Sequence, residues 1–315
     1  MLRPPYDPIF DGPREAMSST TLDIESVRKP SEIWTATAIL ARFPHLEHKE
    51  YVIKGPEDNE NGVVISVFAP KSRPETRLPA IYFVHSGGQV GFDRFCALDI
   101  AIAWMDDIQA VYVSVEYRLA PEYPAPAALN DSYHGLVWMA DHADELGIDA
   151  SRIVTISGSG GAPIAAGSAM LARDRKYPKI HAQMLITPML DDRVDTVSSR
   201  QYEDIGPWCG RVNRMAWDCV LGDRRGKPDV DPRLAPARAT DLAGLPPTYI
   251  DASECEVFRD EAVAFASRMW ESGVSAELHI WPGGFHGSDM AVPDAPVSRS
   301  SSAARTGWLR RMLEK

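Results

Sequence analysis

The chain is poor in several things at once. Among 315 residues there are four cysteines, Cys96, Cys209, Cys219 and Cys255, with no Cys-x-x-Cys pair. That spacing excludes a disulfide scaffold or a zinc ribbon and predicts reduced, mostly buried thiols. No run of about 18 apolar residues occurs, so no membrane span is expected. Positive charge is short: 33 Lys and Arg face 44 Asp and Glu, a formal net charge of -11. No basic stripe is available to neutralise phosphates, which excludes nucleic acid as a partner and makes charge-driven binding to anionic membrane unfavourable. Met1 to Asp11 holds three prolines and no long apolar stretch, so no secretory signal is expected and a cytoplasmic location follows. Repeats, low-complexity tracts and metal-ligand spacings are absent as well.

What remains is an ordinary globular composition, 44% hydrophobic and 24% charged, enough for one large α/β domain. The first 48 residues carry short helical patterns, around Asp23–Lys29 and Pro30–Arg42, with Ser31 as the expected N-cap of the second. Tyr51–Lys54 and Val63–Ala69 alternate as a hairpin would, turning through Glu57–Gly62. Strand-like and helix-like runs then alternate. Strands are expected at Ala80–Val84, Ala110–Val115, Ile153–Ile156, Ala182–Thr187, Thr248–Ala252 and Ala276–Ile280. Helices are expected near Ala97–Met105 and at Asp131–His142, Pro163–Arg173, Asp260–Ser272 and Ala303–Glu314, with Pro293–Ser302 as a surface loop. This alternation predicts a mostly parallel sheet covered on both faces. Residues 188–240 interrupt it and read as an insertion.

Functional groups of such sheets gather beyond the carboxyl ends of the strands. After Ile153–Ile156 comes Ser157-Gly158-Ser159-Gly160-Gly161, followed by a helix-prone run. Small residues around Ser159 suit a sharp strand-to-helix turn with a serine at its apex. Alone, the string also fits a phosphate-binding loop or a plain turn. Three further strand ends carry chemistry. They are His85-Ser86-Gly87-Gly88, Ser253-Glu254-Cys255-Glu256 and Pro282-Gly283-Gly284-Phe285-His286-Gly287. Acyl transfer needs these parts together. A serine needs a base, here His286, and the imidazole needs an orienting carboxylate. The developing oxyanion needs backbone N–H donors, which Gly87, Gly88 and Gly160 can expose; each is worth roughly 3–4 kcal/mol. Asp251, Glu254 and Asp260 compete with Glu256 for the carboxylate role. The order serine, acid, histidine is that of the α/β-hydrolases.

From about residue 60 to the C-terminus the chain resembles the hormone-sensitive-lipase-like carboxylesterase family of that superfamily. Glu116-Tyr117-Arg118-Leu119-Ala120-Pro121-Glu122 is similar to its Asp-Tyr-Arg-Leu-Ala-Pro-Glu signature, and His85-Ser86-Gly87-Gly88 to its His-Gly-Gly-Gly loop. Pro126-Ala127-Ala128 with Asp131, and Leu146-Gly147-Ile148-Asp149 with Arg152-Ile153, extend the match. The resemblance places the acid at Glu256, where relatives usually carry Asp. It implies an α/β-hydrolase fold, a mostly parallel central sheet of about eight strands flanked by helices, with a helical cap. The cap would be built from residues 1–48 and 188–240, over a core of 49–187 and 241–315. No cofactor is implied, and edge-to-edge pairing of relatives makes a homodimer possible.

Four departures stand out. Ser86 and Ser157 replace glycines, Gly158 replaces the usual Asp before the nucleophile, and Gln89 replaces an aromatic. They leave every catalytic part in place and point to a narrow substrate range. Glu116, Arg118 and Glu122 are expected to form a buried ion pair bracing the loop, and His85 to fix the oxyanion loop without acting as base. Trp208 and Trp217 fit either an acyl-pocket wall or plain cap core. The function expected is hydrolysis of small to medium carboxylic esters, a lactone or an acetylated metabolite through an acyl-enzyme. Amidase, lactamase or transacylase chemistry on the same residues is the alternative. A dehydratase, which replaces the serine, and a ligand-binding receptor, which loses the histidine, fit less well.

Overall fold

Eight strands form a single sheet, and their apolar content explains why. In the computed structural model, which describes residues 1–18, 23–29, 31–105 and 108–314, the strands are β1 (Leu46–Ile53), β2 (Val63–Pro70), β3 (Leu78–Val84), β4 (Val111–Glu116), β5 (Ile148–Gly158), β6 (Ala182–Ile186), β7 (Thr248–Ser253) and β8 (Ala276–Trp281). Their spatial order is β1-β2-β4-β3-β5-β6-β7-β8. β1 pairs antiparallel with β2 and β2 antiparallel with β4; every later pairing is parallel. All seven residues of β3 are buried, as a strand with layers on both faces requires. β1 and β8 are the edges, and their half-exposed residues fit that place.

The connecting helices split the apolar residues between two faces. Helices Ala127–Asp141, Ala162–Arg175 and Arg259–Glu271 pack with Val113, Ile153 and Ile250 on one side. Helices Leu98–Ala103 and Pro296–Leu313 pack with Ile81, Val154 and Tyr249 on the other. A third cluster lies apart from both. It joins Tyr6, Ile24 and Val27 of the N-terminal segment to Trp208, Val212 and Trp217 from the segment between β6 and β7.

Several boundaries differ from expectation. β1 begins at Leu46, earlier than Tyr51, because Lys49 and Glu50 lie on an edge strand where charge costs little. The second N-terminal helix is Ala36–Arg42, capped by Thr35, whose hydroxyl accepts from the Ala38 amide at 3.1 Å. Ser31 instead accepts from the Trp34 amide at 3.1 Å and closes a turn; Pro30 lies outside the described residues. The surface loop expected at Pro293–Ser302 is mostly helix. Pro296 sits in the first turn, where its missing N–H is no loss, and Ser301 donates to the Ser298 carbonyl at 2.8 Å.

The single buried ion pair expected from Glu116, Arg118 and Glu122 is replaced by three pairs with distant partners. Glu116 accepts from Arg94 at 2.8 Å, and the exposed Glu122 from Arg28 at 2.6 Å. Arg118 forks onto Asp131 with Nε to Oδ2 at 2.8 Å and Nη2 to Oδ1 at 3.0 Å. Asp131 is wholly buried and also accepts from the Arg118 amide and Asn59. Removing a buried carboxylate strands its cation, so Asp131→Ala is expected to cost about 3–5 kcal/mol. A urea unfolding midpoint that does not move would contradict this.

Candidate active site

At the end of β5 the chain turns sharply. Gly158 is extended, Ser159 takes φ +50, and a 3-10 turn over Ser159–Gly161 leads into helix Ala162–Arg175. A serine in the left-handed region is strained and persists only where its surroundings fix it. The hydroxyl is thereby set at the helix N-terminus, beside free N–H groups and the positive end of the dipole. Ser159 Oγ lies 3.1 Å from His286 Nε2, and His286 Nδ1 lies 2.5 Å from Glu256 Oε2. Glu256 Oε1 accepts from the Ser253 amide at 2.6 Å, which holds the carboxylate in its plane. The glutamate is buried and His286 is packed edge-on by Phe258, so little freedom remains.

The rival carboxylates are spoken for. Asp251 accepts from Arg305 at 2.8 Å and Trp281 at 3.0 Å, Glu254 from the Gly283 amide at 3.0 Å, and Asp260 from the Ser198 amide at 2.7 Å. Of the four candidates, Glu256 is the one that meets the imidazole.

The glycine loop after β3 lies against the turn. Gly87 has φ +110 and Gly88 φ +62. A methyl on Gly160 would fall 2.3 Å from the Gly88 nitrogen, so the two backbones touch only because neither carries a side chain there. Among the described residues, the Gly87 and Gly88 amides donate to no protein acceptor. Tyr117 holds the loop from beneath, its hydroxyl donating to the His85 carbonyl at 2.9 Å. The His85 ring stacks on Tyr117 at 4.0 Å and donates through Nδ1 to the Ser86 carbonyl at 2.8 Å. Burial lowers the His85 pKa to about 4, so the ring is neutral near pH 7. Ser86 donates to the Gly158 carbonyl at 3.2 Å, and Ser157 to the Val84 carbonyl at 2.8 Å. Both serines thus tie β5 to β3.

Ser159 opens on a cavity of about 250 Å³. Its walls are largely apolar and include Trp104, Phe83, Ile186, Trp208 and Met290. Trp208 lines it, hard against Gly88. Trp217 does not. It falls on the inward stripe Asn213, Ala216, Trp217, Val220 of helix Gly210–Leu221 and is fully buried with Tyr202 and Val212. Most of these walls went unnoticed in the sequence, among them two charged residues, Arg305 and Asp289. Arg305 sits in the stretch read as the start of an ordinary terminal helix, and nothing local marks it. No group of His, Cys, Asp or Glu among the described residues is placed to hold a metal.

Comparison with known proteins follows this geometry. A family model described as the alpha/beta hydrolase fold matches residues 81–290. The carboxylesterase NlhH of Mycobacterium tuberculosis is 34% identical over 241 residues, covering 75% of this chain and 74% of that protein. A bacterial heroin esterase is 33% identical, with a TM-score of 0.88 and 98% of each chain covered. A hyperthermophilic esterase from Pyrobaculum calidifontis is 26% identical, with a TM-score of 0.84 over 98% of this chain and 99% of that one. The chain belongs to the α/β-hydrolases, in their hormone-sensitive-lipase-like family.

Two outcomes follow. Gly160→Ala forces apart the two touching backbones and is expected to lower kcat on an aryl ester about 100-fold or more, in a protein whose circular dichroism is unchanged. Retained kcat would refute the close approach. His85 is neutral when folded and titrates at about 6.5 when unfolded. Its contribution to stability is therefore present above pH 6.5 and lost as pH falls from there toward 4, up to about 3 kcal/mol. His85→Phe should be less stable at pH 7 in urea titrations yet lose less stability between pH 6.5 and 4.

Proposed function

We propose that this chain hydrolyses carboxylic esters through an acyl-enzyme, with Ser159 as nucleophile, His286 as general base and acid, and Glu256 as the group that orients the imidazole. The observation that carries this is the unbroken line from Ser159 Oγ through His286 to Glu256, 3.1 Å and 2.5 Å, on a serine held at positive φ.

The steps follow from the groups present. His286 Nε2 takes the hydroxyl proton as Oγ bonds to the ester carbonyl carbon, and the π electrons move onto the carbonyl oxygen. Amides of Gly87, Gly88 and Gly160 donate to that oxyanion. Collapse breaks the C–O bond to the alcohol, which leaves with the proton from Nε2. Water then attacks the acyl-enzyme, its proton passing to His286 and on to Oγ as the acid departs. Glu256, accepting from Nδ1–H, keeps the tautomer that leaves Nε2 free and stabilises the imidazolium.

The cavity's size supports small to medium acyl esters, a lactone or an acetylated metabolite, since it lies near the lower end of ligand pockets. Residues 1–48 and 188–240 serve as its cap. Support comes from Val27 and Trp34 of the first and Pro207 and Trp208 of the second, which all line the cavity. The four free cysteines are consistent with a cytoplasmic protein, and no described helix is long and apolar enough to cross a membrane. The edge strand β8 offers a pairing surface for a homodimer.

A panel of p-nitrophenyl esters of rising chain length, with burst kinetics and a fluorophosphonate label, tests the reading. Wild type should label at Ser159 and show a burst. Ser159→Ala should lose both and at least about 10⁴-fold in kcat, and Glu256→Gln should fall by roughly 10³- to 10⁴-fold. Full activity in Ser159→Ala would overturn it.

A further inference from the structure

The cavity beside Ser159 is largely apolar, and apart from Ser159, His286 and a few hydroxyls its wall holds an arginine in an unusual setting. Arg305 is 3% exposed. Its Nε donates to Asp251 Oδ2 at 2.8 Å and its Nη1 to Asp289 Oδ2 at 2.5 Å. The guanidinium lies over the Trp104 ring at 5.1 Å. Burial opposes its charge, and the two carboxylates more than offset that, so its pKa is raised. The third nitrogen, Nη2, donates to no protein acceptor among the described residues. Arg305, Asp289 and Trp104 are all walls of the cavity that holds Ser159. A guanidinium carries five N–H donors, of which the bonds to Asp251 and Asp289 use two, and Nη2 is not among the side-chain atoms sealed away from open space without a partner.

The sheet register gives the reach. Gly158 pairs with Ile186 and Ile186 with Asp251, so the nucleophile's strand and the carboxylate under Arg305 stand two strands apart, about 10 Å. Side chains from both ends shorten the gap to the length of an acyl chain of about four to six atoms.

We propose that Arg305 is a specificity-determining residue, whose Nη2 donates to an uncharged oxygen, a ketone, ether or hydroxyl, carried near the end of the substrate's acyl group. An uncharged acceptor is favoured over a carboxylate because Asp251 and Asp289 already outnumber the single cation. This deepens the esterase reading and rests on it.

The test compares three p-nitrophenyl esters on the whole protein: 4-oxopentanoate, its near-isostere 4-methylpentanoate, and hemisuccinate. Wild type is expected to prefer the keto ester to the methyl ester by about tenfold in kcat/KM, chiefly through KM, as one hydrogen bond to a charged donor allows. Arg305→Lys keeps a cation between the carboxylates but lacks the fork. It should reduce that preference to less than threefold, read as the ratio of the two kcat/KM values within the folded variant, so that a general loss of rate or stability cancels. Equal kcat/KM for the two esters in wild type would overturn the proposal even if the variant fails to fold. So would an undiminished preference in a folded Arg305→Lys, or the hemisuccinate reacting fastest. If none of the esters is cleaved and Ser159 is not labelled, the hydrolase reading itself fails.

Discussion

The site depends on two stretches of backbone being allowed to touch. A methyl on Gly161 would lie 2.2 Å from the His85 carbonyl oxygen, and one on Gly160 2.3 Å from the Gly88 nitrogen. The turn after β5 and the loop after β3 are therefore in contact along their main chains. These strands are parallel neighbours in the middle of the sheet, so their carboxyl ends start only a strand spacing apart. Absence of side chains lets the loops keep that spacing past the sheet. The Gly87 and Gly88 amides on one loop and the Ser159 hydroxyl on the other are then held close, with no flexible side chain between the two main chains. In the proposed reaction such groups need not reorganise when charge develops, which is where an electrostatic contribution to rate is largest.

Around this contact the protein spends charge on rigidity. Arg118 with Asp131, Arg238 with Asp192 and Arg305 with Asp251 are pairs whose carboxylates are wholly buried. Each carboxylate takes more than one donor, the condition under which a buried pair is tolerable. Asp131 sits below the segment that carries Tyr117, and Tyr117 holds the His85 loop. Hydrogen bonding thus runs from an ion pair in the core to the glycines beside the cavity. His85, neutral and stacked, adds shape to this chain without adding charge.

Much of this was legible in the sequence because the decisive signals are local. A strand followed at once by small-x-Ser-x-Gly, and another followed by His-x-Gly-Gly, need no tertiary information to be read as strand ends. The buried strands were visible as unbroken apolar runs, and β3 is buried throughout. Edge strand β1 was placed late because Lys49 and Glu50 break such a run without harm at an edge. The last helix reads short because serine and proline look like a loop; proline is harmless in the first turn, and Ser300 and Ser301 donate to carbonyls one turn back within the helix. Trp217 was ambiguous for a different reason. A tryptophan's type does not say which face of a helix it occupies, and the stripe through Asn213 and Val220 decides it. Arg305 was invisible because its meaning comes from Asp251, 54 positions away.

The N-terminal segment is fastened to the rest at a telling place. The Phe92 amide donates to the Val27 carbonyl at 2.9 Å, and a methyl on Gly91 would lie 2.6 Å from that same oxygen. Arg28 donates to the carbonyls of Val90 at 2.7 Å and Ala120 at 2.8 Å. Val90 to Phe92 directly continue the loop of Gly87 and Gly88. The N-terminal segment, whose Val27 and Trp34 line the cavity, is thus stitched to the very loop that carries Gly87 and Gly88. A displacement of that segment would therefore be felt at Gly87 and Gly88, so this wall of the cavity and the loop beside Ser159 form one mechanical unit.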